Sequence, residues 1–200
     1  MKTTLTALTL LSPLIAAQVA NSATIASVTR LDGGDLNPAV SEIVNAASLR
    51  PGFHYYANAN TNFTYGTLPT YLMDADYIQT DIGDIAKADY QLSVTLATQA
   101  KVFLFIDDRV SQPMASMPWL AQLGFTDIGI NNLTVGNNLP YSIYSSTLPA
   151  GTIVLGANGS QTTGNMYTIA AIPVPEPSAA SFMAAAFALC TRVRRRRTSR

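Results

Sequence analysis

The residues best equipped for chemistry are aspartates that come in pairs: Asp74 and Asp76, Asp81 and Asp84, and the adjacent Asp107-Asp108, followed directly by Arg109. Two carboxylates facing one glycosidic bond can divide acid and base work, and the same oxygens suit a calcium ion. Spacing along the chain separates neither role, because both depend on distances across the fold. Calcium therefore stays open as a cofactor, the metal ligands are unknown, and no catalytic residue is assigned. Aspartates also bond to local backbone N–H groups in turns and at strand ends, which is the simpler reading. Asp32-Gly33-Gly34-Asp35-Leu36-Asn37 has the look of a calcium loop but lacks the alternate-position ligands and closing glutamate of an EF-hand. The lone histidine, His54, has neither a His cluster for a metal nor an identifiable partner for a general base.

Aromatic side chains form the second set. Phe53, Tyr55, Tyr56, Phe63, Tyr65 and Tyr71 fall in a stretch rich in Asn and Thr, and the one tryptophan, Trp119, follows Pro118. A tyrosine ring can cover the apolar face of a sugar while amides and carboxylates bond to its hydroxyls. The candidate ligand-binding residues are accordingly Tyr55, Tyr56, Asp107, Asp108, Arg109 and Trp119, although for Trp119 packing in the core beneath its loop is the stronger reading.

These side chains must be carried by strands. Tyr90, Leu92, Val94 and Leu96 alternate with Gln91, Ser93 and Thr95, which at a period of two places the apolar groups on one face. Val102 to Ile106 is uninterrupted Val-Phe-Leu-Phe-Ile, the pattern of a strand buried on both faces, and Ala97 to Lys101 between the two is short enough for a hairpin. Ala75 to Thr80, Phe125 to Ile130, Tyr141 to Tyr144, Thr152 to Leu155 and Met166 to Ile172 are further strand candidates, divided by Gly, Asn and Pro. Only Val40 to Leu49 offers a helix of any length. Many short strands with turn signals between them predict an all-β fold with a single β-sandwich domain.

The two ends read differently from the middle. Lys2, the apolar Leu5 to Ala17 and the small residues Ala20-Asn21-Ser22 or the nearby Ala23 make an N-terminal signal peptide over residues 1–22. The domain follows over 23–172 and a tail over 173–200. In the tail, Pro175-Glu176-Pro177 precedes a short apolar run and then Arg192, Arg194, Arg195, Arg196 and Arg197. From Ala179 to Cys190 a helix rises only about 18 Å against a hydrocarbon core of about 30 Å, a poor permanent anchor. With the arginines held on the cytoplasmic side, the run is expected to be a short transmembrane helix that anchors the protein transiently in an inner membrane. This three-part order resembles the PEP-CTERM sorting signal of Gram-negative bacteria. The resemblance implies an exosortase as partner, with Pro175, Glu176, Pro177, Arg194, Arg195, Arg196 and Arg197 as the sorting residues, and a destination at the cell surface or outside the cell. The stretch Ile106 to Phe125 with its flanking strands is similar to β-sandwich modules of exported polysaccharide-acting bacterial proteins.

Removing both ends changes the charge. The formal net charge of +0 hides a segregation, since Lys2 and the tail arginines go and Arg30, Arg50, Lys87, Lys101 and Arg109 remain against a larger set of aspartates. An acidic domain is a poor nucleic-acid ligand, as phosphate binding needs clustered Lys and Arg. The sole cysteine, Cys190, lies in the tail, so the domain has no disulfide, zinc-thiolate site or cysteine nucleophile. Three functions remain: a non-enzymatic surface or extracellular-matrix protein that binds extracellular polysaccharide, a small exported glycan-acting enzyme using its aspartates, and a scaffold with no small ligand. The first is the expectation.

Overall fold

The computed structural model describes residues 23–32, 64–73, 75–129, 133–135, 138–159 and 163–175. Nine strands among these residues build two antiparallel sheets. The smaller has the order β1 (Ile25–Arg30), β3 (Leu92–Leu96), β8 (Gly151–Leu155). The larger runs β2 (Asp76–Ile78), β9 (Thr168–Pro173), β4 (Ala100–Asp107), β7 (Leu139–Leu148), β5 (Thr126–Asp127), with β6 (Leu133–Val135) also paired to β7. This is a mostly β, two-sheet, sandwich-like domain, in line with the fold class expected from the strand pattern.

The alternation in β3 works as its period dictates. Leu92, Val94 and Leu96 are buried, and the register sets Val94 opposite Val28 and Ile153, and Leu92 opposite Leu155. Ser93 and Thr95 fall on the other face with Thr29, Ser27 and Thr152, a surface mostly of hydroxyls that also carries the exposed Val154. One dry and one wet face is what an antiparallel sheet tolerates. By contrast, β4 is buried from Val102 through Asp107. Val102 and Leu104 share a face with Ala171 and Ile169, while Phe103 and Phe105 share the opposite one with Ala170 and Thr168. The second face is covered by the segment 64–73: Tyr65 meets Phe105 edge-on at 6.0 Å and Tyr77 at 6.2 Å, and Tyr71 lies 5.6 Å from Phe103.

The expected hairpin between these strands does not form, because β3 and β4 belong to different sheets. Ala97 N–H donates to Thr24 O at the edge of one sheet, and Gln99 O accepts from Val174 N–H at the edge of the other, so the chain changes sheets in between. The physical reason lies in what each strand packs against. The half-exposed β3 pairs with the likewise half-exposed β1 and β8, whereas β4, buried from Val102 onward, takes the centre of the larger sheet between β9 and β7. β7 and β8 are joined by a similar corner, with Gly151 at φ 127° just beyond it. Two further expectations change in detail. The strand placed at Phe125 to Ile130 contracts to Thr126–Asp127, with Phe125 buried ahead of it, and the domain's last strand runs one residue past 172, to Pro173.

The transmembrane helix and the transient inner-membrane anchor are corrected. Among the described residues no helix is long and apolar enough to cross a membrane. The apolar run on which that expectation rested reaches only about 18 Å of the required about 30 Å. The run itself lies outside the described residues, as do the helix expected at Val40 to Leu49, His54, Tyr55, Tyr56 and Asp74.

Candidate functional site

β4 delivers Asp107 to the end of the larger sheet, and a turn closed by Val110 N–H to Asp107 O (2.9 Å) carries Asp108 and Arg109 outward. The single-turn helix α1 (Pro113–Ser116) follows at once. The neighbouring strand β7 pairs Ser142 with Ile106 and adds Tyr144 two residues on, so both face the same side. Ile106, Asp107, Asp108, Val110, Pro113, Ser142 and Tyr144 together line a cleft of about 270 Å³. Its lining divides chemically into apolar Ile106, Val110 and Pro113 and polar Asp107, Asp108, Ser142 and Tyr144.

The two adjacent carboxylates are held differently. Asp107 is buried, and its Oδ1 accepts from the backbone N–H of Arg109 (2.9 Å) and from Nε (3.0 Å), while Oδ2 pairs with Nη2 (2.5 Å). Its charge is thus matched at the site. Asp108 is exposed, accepts from the Ser142 hydroxyl at 2.7 Å, and has no ion-pair partner among the described residues. The phenol of Tyr144 is pushed above its ordinary pKa by burial first, then by the nearby charges of Asp127 and Asp108.

Of the sequence candidates, the structure brings Asp107 and Asp108 into one cleft, with Arg109 bound to Asp107 from its rim. Trp119 is placed elsewhere in use. It opens the single-turn helix α2 (Trp119–Gln122), its Nε1 donates to Ala157 O at 2.9 Å, and its ring packs on Tyr167 (5.4 Å) and Phe125 (6.3 Å). Gly156 lies so close beneath that a Cβ there would stand 2.7 Å from the indole. The tryptophan is a half-buried packing residue, not a cleft residue. Pro175 is exposed two residues beyond β9, whereas Glu176, Pro177 and Arg194, Arg195, Arg196 and Arg197 lie outside the described residues. Ile106, Val110, Pro113, Ser142 and Tyr144 are the cleft residues that sequence reasoning missed. Nothing short of the β4–β7 register could have joined the last two to Ile106.

The other described aspartates, Asp76, Asp81 and Asp84, have structural work. Asp76 Oδ2 accepts from the backbone N–H groups of Thr24 and Ile25, tying the larger sheet to the start of β1. Asp81 caps a 3-10 turn through Gly83 N–H (2.7 Å). Asp84, buried, takes Arg30 at 2.7 Å and Lys87 at 2.7 Å. Arg30 also pairs with Asp32, and its guanidinium sits 4.6 Å above the Tyr90 ring. The hydrogen bond to Asp32, chiefly, raises the Arg30 pKa further above its already high value. Asp32 thus spends its carboxylate on an arginine. Among the described residues no three His, Cys, Asp or Glu side chains are grouped to hold a metal ion.

No protein-family model and no curated protein matches the chain. Solved structures do. The chain is similar to part of a β-glucuronidase from glycoside hydrolase family 2, with a TM-score of 0.58 and 19% identity over 74% of this chain and 14% of that one. It is also similar to part of a GH138 enzyme targeting pectin rhamnogalacturonan II, with a TM-score of 0.50 and 11% identity over 71% of this chain and 16% of that one. At such identities the likeness is one of fold: this is a β-sandwich of the kind found within carbohydrate-acting enzymes, distantly and over a small part of their length.

Proposed function

We propose that the protein is an exported, non-enzymatic module that binds extracellular polysaccharide through the cleft at the end of β4 and β7. The observation that carries this reading is a concavity of about single-ring size whose exposed lining is mainly polar, with the Asp108 carboxylate and the Ser142 hydroxyl placed to bond to the hydroxyls of a sugar above a small apolar patch. The fold likeness supports it, since the chain corresponds to a module-sized piece of much longer carbohydrate-acting enzymes. Against turnover stands the state of Asp107. Both of its oxygens are engaged by Arg109, so the cleft offers one unpaired carboxylate where acid and base work needs two.

Isothermal titration of the purified protein against a panel of bacterial exopolysaccharides, with assay of released reducing ends, tests the reading. Saturable binding without release is expected. Release of reducing ends would transfer the function to the glycan-acting enzyme, and absence of binding would leave the scaffold. Delivery by an exosortase is the other half of the proposal and is supported by the order of Pro175-Glu176-Pro177, apolar run and arginines in the tail. Glu176→Ala should then leave an unprocessed form in a host that has an exosortase, with the folded domain unchanged; normal processing would count against it.

A further inference from the structure

The cleft has a charge as well as a shape. Arg109 balances Asp107, whereas Asp108 has only a neutral serine hydroxyl, and the lining contains no basic residue. After burial, the charges of Asp127 and Asp108 also push the Tyr144 phenol above its ordinary pKa. The volume of about 270 Å³ falls just below the about 300–1,000 Å³ of sites that enclose drug-sized ligands, which suits one ring rather than an enclosed chain. A neutral ring would offer Asp108 a hydroxyl, and a uronic ring would bring a second carboxylate against it. Only a ring carrying an ammonium answers both the hydrogen-bonding capacity and the unbalanced charge, because it adds attraction between opposite charges to the charge-assisted bond that a hydroxyl would also make.

We infer that the cleft selects amino-sugar rings with a free, protonated amine over neutral and uronic rings, with Asp108 receiving the ammonium. This rests on the polysaccharide-binding reading and specifies its ligand class. Asp107 stays with Arg109 and Ser142 orients Asp108, so selectivity resides in one carboxylate.

The test compares the purified protein's affinity for glucosamine oligosaccharides, their N-acetylated counterparts, glucose oligosaccharides and glucuronate oligosaccharides of equal length, at low and high salt. The expected result is a preference for the free amine of about tenfold over the N-acetylated and neutral forms, equivalent to about 1.4 kcal/mol, shrinking at high salt as screening reaches the exposed carboxylate. Asp108→Asn should bring the preference toward unity, while Asp89→Asn, an exposed carboxylate outside the cleft, should leave it as it was. Equal affinity for amine and neutral rings, tighter binding of glucuronate, or a preference that survives Asp108→Asn would each overturn the inference while leaving polysaccharide binding in place. Failure to bind any of the four would overturn both.

Discussion

Arg30 shows how far the role of a single residue departs from what its position in the chain suggests. It is the last residue of β1, opposite Leu92, with its side chain 3% exposed, and two carboxylates with nearly buried side chains, Asp32 and Asp84, converge on it. Removing it by Arg30→Ala would take from both carboxylates the guanidinium they share, leaving Asp84 to Lys87, and breaking a buried pair in this way costs about 3–5 kcal/mol. Urea denaturation should show that loss; a change within about 0.5 kcal/mol, usual for surface substitutions, would mean the network is not load-sharing. Buried tyrosines give a second test at this scale. Burial pushes the Tyr77 phenol up to about 12, and Tyr65, Tyr90 and Tyr167 are raised too, chiefly by burial. Since these groups hold their protons more tightly folded than unfolded, their stabilisation is complete below about pH 10, the ordinary tyrosine value, and declines as pH rises toward the folded values. Tyrosine absorbance followed against pH should therefore titrate together with unfolding above about pH 10. A smooth, unfolding-free titration near the ordinary value would contradict the burial. The sequence made Asp107, Asp108 and Arg109 legible as a group because they are adjacent. It could not show that Arg109 takes Asp107 and leaves Asp108, nor that Asp32, Asp76, Asp81 and Asp84 are bound locally or across the sheets, since such partners are set by folding.

Strands were the most legible level, and each for a reason visible in its residues. β3 announces a half-wet face by alternation and β4 a doubly buried position by its unbroken run. Phe105→Ala should cost about 3–5 kcal/mol, since that ring is fully buried against Tyr65, and a domain of this size has about 5–15 kcal/mol in total. An unchanged melting midpoint would remove β4 from the centre. Connections were less legible. A short link between two strands suits a hairpin and a corner equally well, so the parting of β3 and β4 is set by what each strand packs against in the fold. The corner after β7 can be tested alone: Gly151 has φ 127° and open space where a Cβ would go, so Gly151→Ala meets backbone strain without a clash and should lose about 1–3 kcal/mol. No loss would place the residue in an ordinary extended conformation.

Across the described residues, the cleft and the point where the chain leaves β9 toward the tail lie at opposite ends of one strand pair. Pro173 stands opposite Ala100 at one end of β4, and the cleft residues Ile106 and Asp107 lie at the other. At about 3.3 Å per residue the separation along β4 is about 20 Å. Attaching the protein to a sensor surface through its C-terminus should therefore leave saccharide affinity within about twofold of its value in solution, a ratio worth only about 0.4 kcal/mol, and a large drop would place the binding surface near the tail instead. The account's central claim is that the concavity between β4, β7 and α1 is where polysaccharide binds. Amide chemical-shift mapping by NMR during titration with an amino-sugar oligosaccharide tests this most directly. Saturable shifts clustered at Ile106, Asp108, Val110, Ser142 and Tyr144 are predicted; shifts confined to the hydroxyl-bearing outer face of β3 and β8, or no saturable shifts at all, would contradict it.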